Sequence, residues 1–329
     1  MGNKIERVCI TDSAYTLLLY LLISSREEIE QTFFFVDNGI HQSIRNNLPM
    51  YYAFDKSRFN NLNSKEMPRE MLKIRLMSYF KWPFLRHCDI YGLDHLWFTP
   101  LLVGNRKMTV IEDGNANYLH RGDPKLGKSK WQIFKNEFLF GKLIHAIKYG
   151  KNSQTKKVYL SGIKISEAAK ELNAIVISLN GCWNLSSNDK QECIKKIFNI
   201  TDEDIKNIQL RPYILFTQCL SEDGMMSEEE KVSIYRDMLK DVELKDVVIK
   251  VHPREITDYS RYFPNCYIFD KRVPMQLLSI LGAKFKRSYT ICSTAAVDFD
   301  YPIESVFLGS EIHPAIVKGY GVIRKPENK

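Results

Sequence analysis

The chain has 329 residues, 44% of them hydrophobic and 26% charged, with 16 Gly and 12 Pro. At roughly 100–200 residues per domain this is a two-domain globular protein, which excludes a disordered, collagen-like or coiled-coil chain. Lys and Arg number 47 against 39 Asp and Glu, a net charge of +8; that surplus favours anionic partners but is too dispersed to name one.

In chain order, Arg7 to Thr11 reads as a strand and Ser13 to Ser24 as a helix capped by Asp12 or Ser13. Thr32 to Val36 is a second strand, closed by the turn residues Asp37-Asn38-Gly39. Lys107 to Ile111, Lys157 to Leu160 and Ala174 to Ser178 are further strands, and Asp189 to Phe198 is an amphipathic helix. The charged stretch from Thr201 to Pro212 reads as a linker, after which the alternation restarts. Strands follow at Pro212–Thr217, Val247–Val251, Cys266–Phe269, Ser288–Cys292 and Ser305–Leu308, with helices at Ser227–Val242 and Met275–Leu281. Strands alternating with helices imply parallel sheets covered on both faces. The expected domains are 1–205 and 206–329.

The longest apolar stretch, Ala14 to Ile23, is ten residues, where a bilayer-spanning helix needs about 20. No small-residue cleavage site follows it. The expected location is cytoplasmic, at most peripheral at a membrane surface. Seven Cys, at 9, 88, 182, 193, 219, 266 and 292, show no C-x-x-C spacing; they read as free thiols in a reducing compartment, four of them in or beside strands, and not as a zinc site.

Three segments have the residue types for chemistry. Glu112-Asp113-Gly114-Asn115 directly follows an apolar strand. In parallel α/β sheets ligands bind beyond the carboxyl ends of strands, and a partly desolvated carboxylate beside another has a raised pKa that suits a general base. The same residues could equally form a plain Asp-capped turn. Lys250-Val251-His252-Pro253-Arg254 delivers an imidazole between two cations at a strand end; an imidazolium there can neutralise a departing phosphate oxygen, although a strand-end His is also an ordinary structural residue. Ser293 and Thr294 follow another strand and offer hydroxyls and N–H groups to a phosphate, or simply an N-cap. Gln276 opens an apolar helix near the same sheet edge. Asp298-Phe299-Asp300 fits a D-x-D metal pattern but occurs late and commonly by chance, so no metal is expected. Neither G-x-G-x-x-G nor a P-loop is present, and the aromatics do not interleave with Lys and Arg as in RNA readers, so no nucleic acid is expected.

The ordered set of an acidic-acidic-Gly turn, Lys-x-His-Pro and a Ser-Thr turn resembles bacterial sialyltransferases, more narrowly glycosyltransferase family 52, the lipooligosaccharide and capsule sialyltransferases. Tyr15-Thr16-Leu17-Leu18, Tyr91-Gly92-Leu93-Asp94-His95-Leu96, Ile111 to Tyr118 and Ile249 to Glu255 carry the likeness, which covers about residues 8–310. It implies an α/β fold of two Rossmann-like domains facing a cleft (GT-B type), acceptor-side first and CMP-binding second. It further implies inverting, metal-independent transfer of sialic acid from CMP-sialic acid to a terminal galactose of a surface glycan, with an α-2,3 linkage expected and no cofactor. On that reading Asp113 is the base, with Asp223 or Glu222 of a second acidic turn as alternatives, and His252 assists the leaving phosphate. Glu112, Gly114, Asn115, Lys250, Pro253, Arg254, Gln276, Ser293 and Thr294 bind substrate. Contact with the inner membrane and a homodimer are left open. Competing readings are a glucosyltransferase or other sugar-nucleotide transferase on this scaffold, and a non-catalytic protein that binds nucleotide or an anionic surface.

Overall fold

Two runs of short, largely apolar strands organise the chain, and in the computed structural model each run becomes one parallel sheet. Residues 4–118, 122, 124–162, 172–297, 299 and 301–325 are described. The chain divides into two units, Met1–Ile197 and Phe198–Lys329. Among the described residues the first holds seven strands in the order β3-β2-β1-β4-β5-β6-β7 and the second five in the order β10-β9-β8-β11-β12, and every pairing among them is parallel. Both orders are doubly wound, with the strand sequence reversing direction beside the first strand, between β1 and β4 and between β8 and β11. That reversal is where such sheets open a crevice at their carboxyl edge.

In the first unit the strands are β1 (Arg7–Thr11), β2 (Thr32–Val36), β3 (Tyr51–Ala53), β4 (Asp89–Gly92), β5 (Met108–Ile111), β6 (Thr155–Leu160) and β7 (Ala174–Val176). All four residues of β5 are buried, as expected of a strand covered on both faces. Helix α1 (Ala14–Ile23) is apolar around its whole circumference and buries Thr16 through Leu22, the signature of a helix lodged inside a domain. No described helix is long and apolar enough to cross a membrane. Ser13 is its cap, accepting from the Thr16 amide at 3.4 Å. Helices α2 (Glu66–Phe80) and α3 (Lys130–Phe140) lie against each other on the outside of this unit, and α4 (Asn188–Ile197) closes it.

The acidic stretch expected to be a linker is helix α5 (Asp202–Gln209), opened by a capping box in which the Thr201 side chain and Asp204 exchange hydrogen bonds. Threonine, two residues, then a carboxylate is a helix-start signal that the run of charge concealed. The helix packs within the second unit, where Asp204 accepts from Tyr267 Oη at 2.7 Å and from Lys271 Nζ. Strands β8 (Tyr213–Phe216), β9 (Val247–Lys250), β10 (Tyr267–Phe269), β11 (Arg287–Thr290) and β12 (Glu304–Phe307) follow, with helices α6 (Glu228–Met238) and α7 (Met275–Ile280). All seven cysteines are free; Cys9, Cys88, Cys219 and Cys292 are buried, and Cys266 is only half-buried.

Candidate active site

The carboxyl edge of the first sheet gathers acids, because Asp12 follows β1, Asp37 follows β2, Asp94 and His95 come after β4, and Glu112 and Asp113 follow β5. Three of the acids are occupied by structure. Asp37 accepts from the Asn38 and Lys56 amides at 2.7 and 3.1 Å and from Trp97 Nε1 at 3.1 Å. Asp94 accepts from the Tyr149 and Gly150 amides at 2.7 and 2.9 Å and from Asn152 at 2.9 Å. The buried Glu112 turns its carboxylate to the Ser161 amide, and its carbonyl accepts from Thr16 Oγ1 at 2.8 Å. Glu112 therefore shapes the edge, and its carboxylate is not open to a ligand as the sequence reading supposed.

Asp12 and Asp113 are the remaining pair. Burial pushes the Asp113 carboxyl above its ordinary range, partly offset by a hydrogen bond from Ser13. Burial, and after it the charge of Asp113, push Asp12 up to about 6. A carboxylate of raised basicity is what abstraction of a hydroxyl proton requires. Position is fixed from two sides: the Asp113 amide donates to the buried Asn117 Oδ1 at 2.7 Å, and His95 Nε2 lies 3.3 Å from Asp113 Oδ2. The His95 ring is stacked on Tyr149 with centroids 4.6 Å apart. Gly114, with φ +56°, turns the chain at once after Asp113.

Gly39 serves the same edge for a different reason. Its φ is not in the left-handed region, but a Cβ there would sit 1.8 Å from the Asp12 carbonyl oxygen. Close backbone approach, and not turn conformation, requires glycine. Gly39→Ala is expected to cost about 2 kcal/mol or more by displacing the Asp12 loop, read as a lowered urea midpoint; an unchanged midpoint would contradict this packing.

At the carboxyl edge of the second sheet, His252 comes two residues after β9. Its amide donates to Thr217 Oγ1 and to Glu255 Oε2, both at 3.0 Å, and its carbonyl accepts from Arg272 Nη1 at 2.8 Å. Its Nδ1 accepts from the Arg254 amide at 3.2 Å, which assigns the ring proton to Nε2. Burial, outweighing the charge of Glu255 and reinforced by Arg254, Arg272 and Lys250, lowers the imidazole below its ordinary value. Its Nε2–H is left as a donor, and burial disfavours the charged form. Positive charge comes from its neighbours. Lys250 is buried over the Phe269 ring at 5.4 Å and drawn down to about 8 by burial and then by Arg272. Pro253 follows in the turn beyond β9.

Ser293 lies across the reversal point, its amide donating to Thr290 Oγ1 at 3.0 Å. Gln218 ties β8 to β11 there by accepting from the Cys292 amide at 2.8 Å. Gln276 is half-buried in the first turn of α7. The side chains of Asn115 and Thr294, and all of Asp298 and Asp300, lie outside the described residues.

The alternative bases are placed differently. Asp223 pairs with Arg254 at 2.7 and 3.0 Å and accepts from Tyr320 Oη, and these hold its carboxyl far below the usual range. Burial would raise Glu222, but the Ile256 amide at 2.9 Å, Ser221 and Lys231 outweigh it and lower it. Neither has the basicity of Asp113. Arg254, expected on substrate, is engaged with Asp223.

Asp12 and His95 beside Asp113, and Arg272 and Glu255 beside His252, were given no site role by motif reading. The signal available was their position after a strand, one to three residues beyond it for Asp12, His95 and Arg272 and five for Glu255.

The glycosyltransferase family 52 model matches residues 31–316. A protein of Haemophilus influenzae, described only as uncharacterized, is 32% identical over 96% of this chain and 98% of its own. Among solved structures, the GT-B domain of a sialyltransferase from Photobacterium damselae superposes with a TM-score of 0.53 at 13% identity, covering 88% of this chain and 87% of that one. The 2,6-sialyltransferase of Photobacterium sp. JT-ISH-224, solved with CMP and lactose, gives a TM-score of 0.55 at 12% identity over 92% and 71%. The α-2,3-sialyltransferase of Photobacterium phosphoreum gives 0.51 at 11% identity over 96% and 94%. At such identities the likeness bears on the fold, which is of GT-B type.

Proposed function

The chain belongs to glycosyltransferase family 52, and from that premise we propose that it moves sialic acid from CMP-sialic acid to a terminal galactose of a surface glycan. The observation that carries this reading is the pairing of chemistries: a carboxylate of raised basicity at the edge of one sheet, and an N–H donor among cations at the edge of the other. Asp113 takes the proton of the acceptor hydroxyl as its oxygen bonds to the anomeric carbon. The bond from that carbon to the phosphate breaks on the opposite side, inverting the centre, and CMP leaves with the electron pair. His252 Nε2–H, Lys250 and the Ser293 turn meet the growing phosphate charge, and Gln276 takes the ribose hydroxyls. Base and donor work of this kind contributes about 10²–10⁴-fold. Protein cations at the phosphate do the work a metal would do, so the reaction is metal-independent and EDTA leaves its rate unchanged.

The product linkage is α-2,3. Incubation with CMP-sialic acid and a panel of terminal galactosides, with products read by NMR, tests donor, acceptor and linkage together. CMP is expected to raise the melting temperature and UDP not to, since only a ligand of the native state stabilises it. Stabilisation by UDP alone, with transfer from a UDP-sugar, would replace this reading with the glucosyltransferase one.

A further inference from the structure

Tyr149 is held in a backbone conformation that its side chain disfavours. Its φ is +62°, and among the described residues Asn199 is the other non-glycine with a positive φ. Asparagine tolerates the left-handed region, whereas a bulky aromatic residue there is an outlier. Tyr149 lies in the irregular segment between His145 and β6, so no helix or strand imposes this conformation. Asp94 does. Its buried carboxylate accepts from the Tyr149 amide at 2.7 Å with one oxygen, and with the other from the Gly150 amide and Asn152 Nδ2, both at 2.9 Å. Asn152 also donates to the Ile147 carbonyl at 2.8 Å, which closes the turn on itself.

A turn of this shape needs no aromatic residue, since glycine or asparagine would form it with less strain. The ring is therefore what the strained position serves. It stacks on His95 with centroids 4.6 Å apart and planes at 27°, and His95 Nε2 lies 3.3 Å from Asp113 Oδ2. Asp94 and His95 are consecutive. The segment after β4 thus grips one turn twice, by its backbone through Asp94 and by its ring through His95. Strain that surrounding structure maintains beside a reacting group points to a role for the strained residue in the site.

We propose that Asp94 and Tyr149 are positioning residues for the transfer reaction: Asp94 fixes the strained turn, the turn sets the Tyr149 ring against His95, and His95 is thereby kept on the Asp113 carboxylate. This rests on Asp113 acting as the base. A carboxylate oriented before the acceptor arrives needs no rearrangement at the moment of proton transfer.

Two variants separate ring from backbone. Tyr149→Gly keeps the turn, which glycine forms without strain, and removes the ring; Tyr149→Phe keeps the ring. In the unliganded protein the Asp113 carboxyl, followed by carbon-13 NMR, should titrate at a higher pH in Tyr149→Gly than in the wild type. The reason is that a ring N–H or imidazolium at His95 favours the charged carboxylate. Asp12 and Ser13, which also face Asp113, are common to all three proteins, and Tyr149→Phe should leave the titration unmoved. In transfer from CMP-sialic acid to a soluble galactoside, Tyr149→Gly should lower kcat at least about tenfold with both KM values and the melting temperature near wild type. Tyr149→Phe should restore kcat. Added to Asp113→Asn, Tyr149→Gly should cost nothing further, because the two changes remove one function.

An unmoved titration or wild-type kcat in Tyr149→Gly, a loss confined to the acceptor KM, or an equal loss in Tyr149→Phe would overturn the proposal. Wild-type turnover in Asp113→Asn would remove the base and this proposal with it, whereas a slow Asp113→Asn beside a fast Tyr149→Gly would overturn this proposal alone.

Discussion

Asp113→Asn should lower turnover by about 10²–10⁴-fold while leaving CMP binding and melting temperature near wild type. The amide keeps the shape of the carboxylate and can still face His95, which lies 3.3 Å away, but it cannot take a proton. Because burial raises Asp113 above the ordinary carboxylate range, the acid limb of the wild-type pH profile should fall at a higher pH than a solvent-exposed Asp would give. The charged form is the working form, so activity rises with pH through that value and is lost below it. A second limb should appear on the alkaline side. Lys250, drawn down to about 8, loses its charge as pH passes that value, and with it part of the attraction for the phosphate. His252→Ala should cost at least about 10²-fold, since it removes the Nε2–H donor at the phosphate. Wild-type turnover in Asp113→Asn would remove the residue from the mechanism. Turnover lost instead in Asp223→Asn, at unchanged melting temperature, would transfer the base role to the second acidic turn despite its ion pair with Arg254.

Lys231→Met should be the most destabilising single change in the second unit. Lys231 is fully buried and donates to Glu255 Oε1 at 2.9 Å, Thr257 Oγ1 at 2.9 Å, Ser221 Oγ at 2.8 Å and Glu222 Oε2 at 3.3 Å. Methionine fills the same space but leaves Glu255, itself with no exposed side-chain surface, without its cation. Removing one partner of such a pair costs about 3–5 kcal/mol, which for a unit of this size lowers the melting temperature by roughly 10 °C or more. Function should suffer in step, because the other oxygen of Glu255 holds the His252 amide. The double change Lys231→Met, Glu255→Gln should recover part of the loss, since removing both charges is less costly than stranding one. A Lys231→Met protein that melts with the wild type would show that the network contributes nothing.

The sequence alone determined the repeating strand-and-helix order and most strand positions, because strands buried on both faces are mostly apolar and leave a readable mark, as in Met108–Ile111 and Val247–Lys250. It also placed Asp113, His252 and Ser293 at strand ends, since motif and strand are contiguous in the chain. Helices α2 and α3 went unread because their most exposed faces are apolar, which cancels the inward periodicity that marks an ordinary surface helix. Only the tertiary structure decided what each polar group is free to do. Asp37, Asp94 and Glu112 look like Asp12 and Asp113 in sequence, yet the first three are filled by backbone amides and an indole N–H from distant segments. The basicity of a carboxylate depends on the neighbours that the fold brings to it, and local sequence does not name those neighbours. The same holds for His252, whose charge state is set by burial among Lys250, Arg254, Arg272 and Glu255.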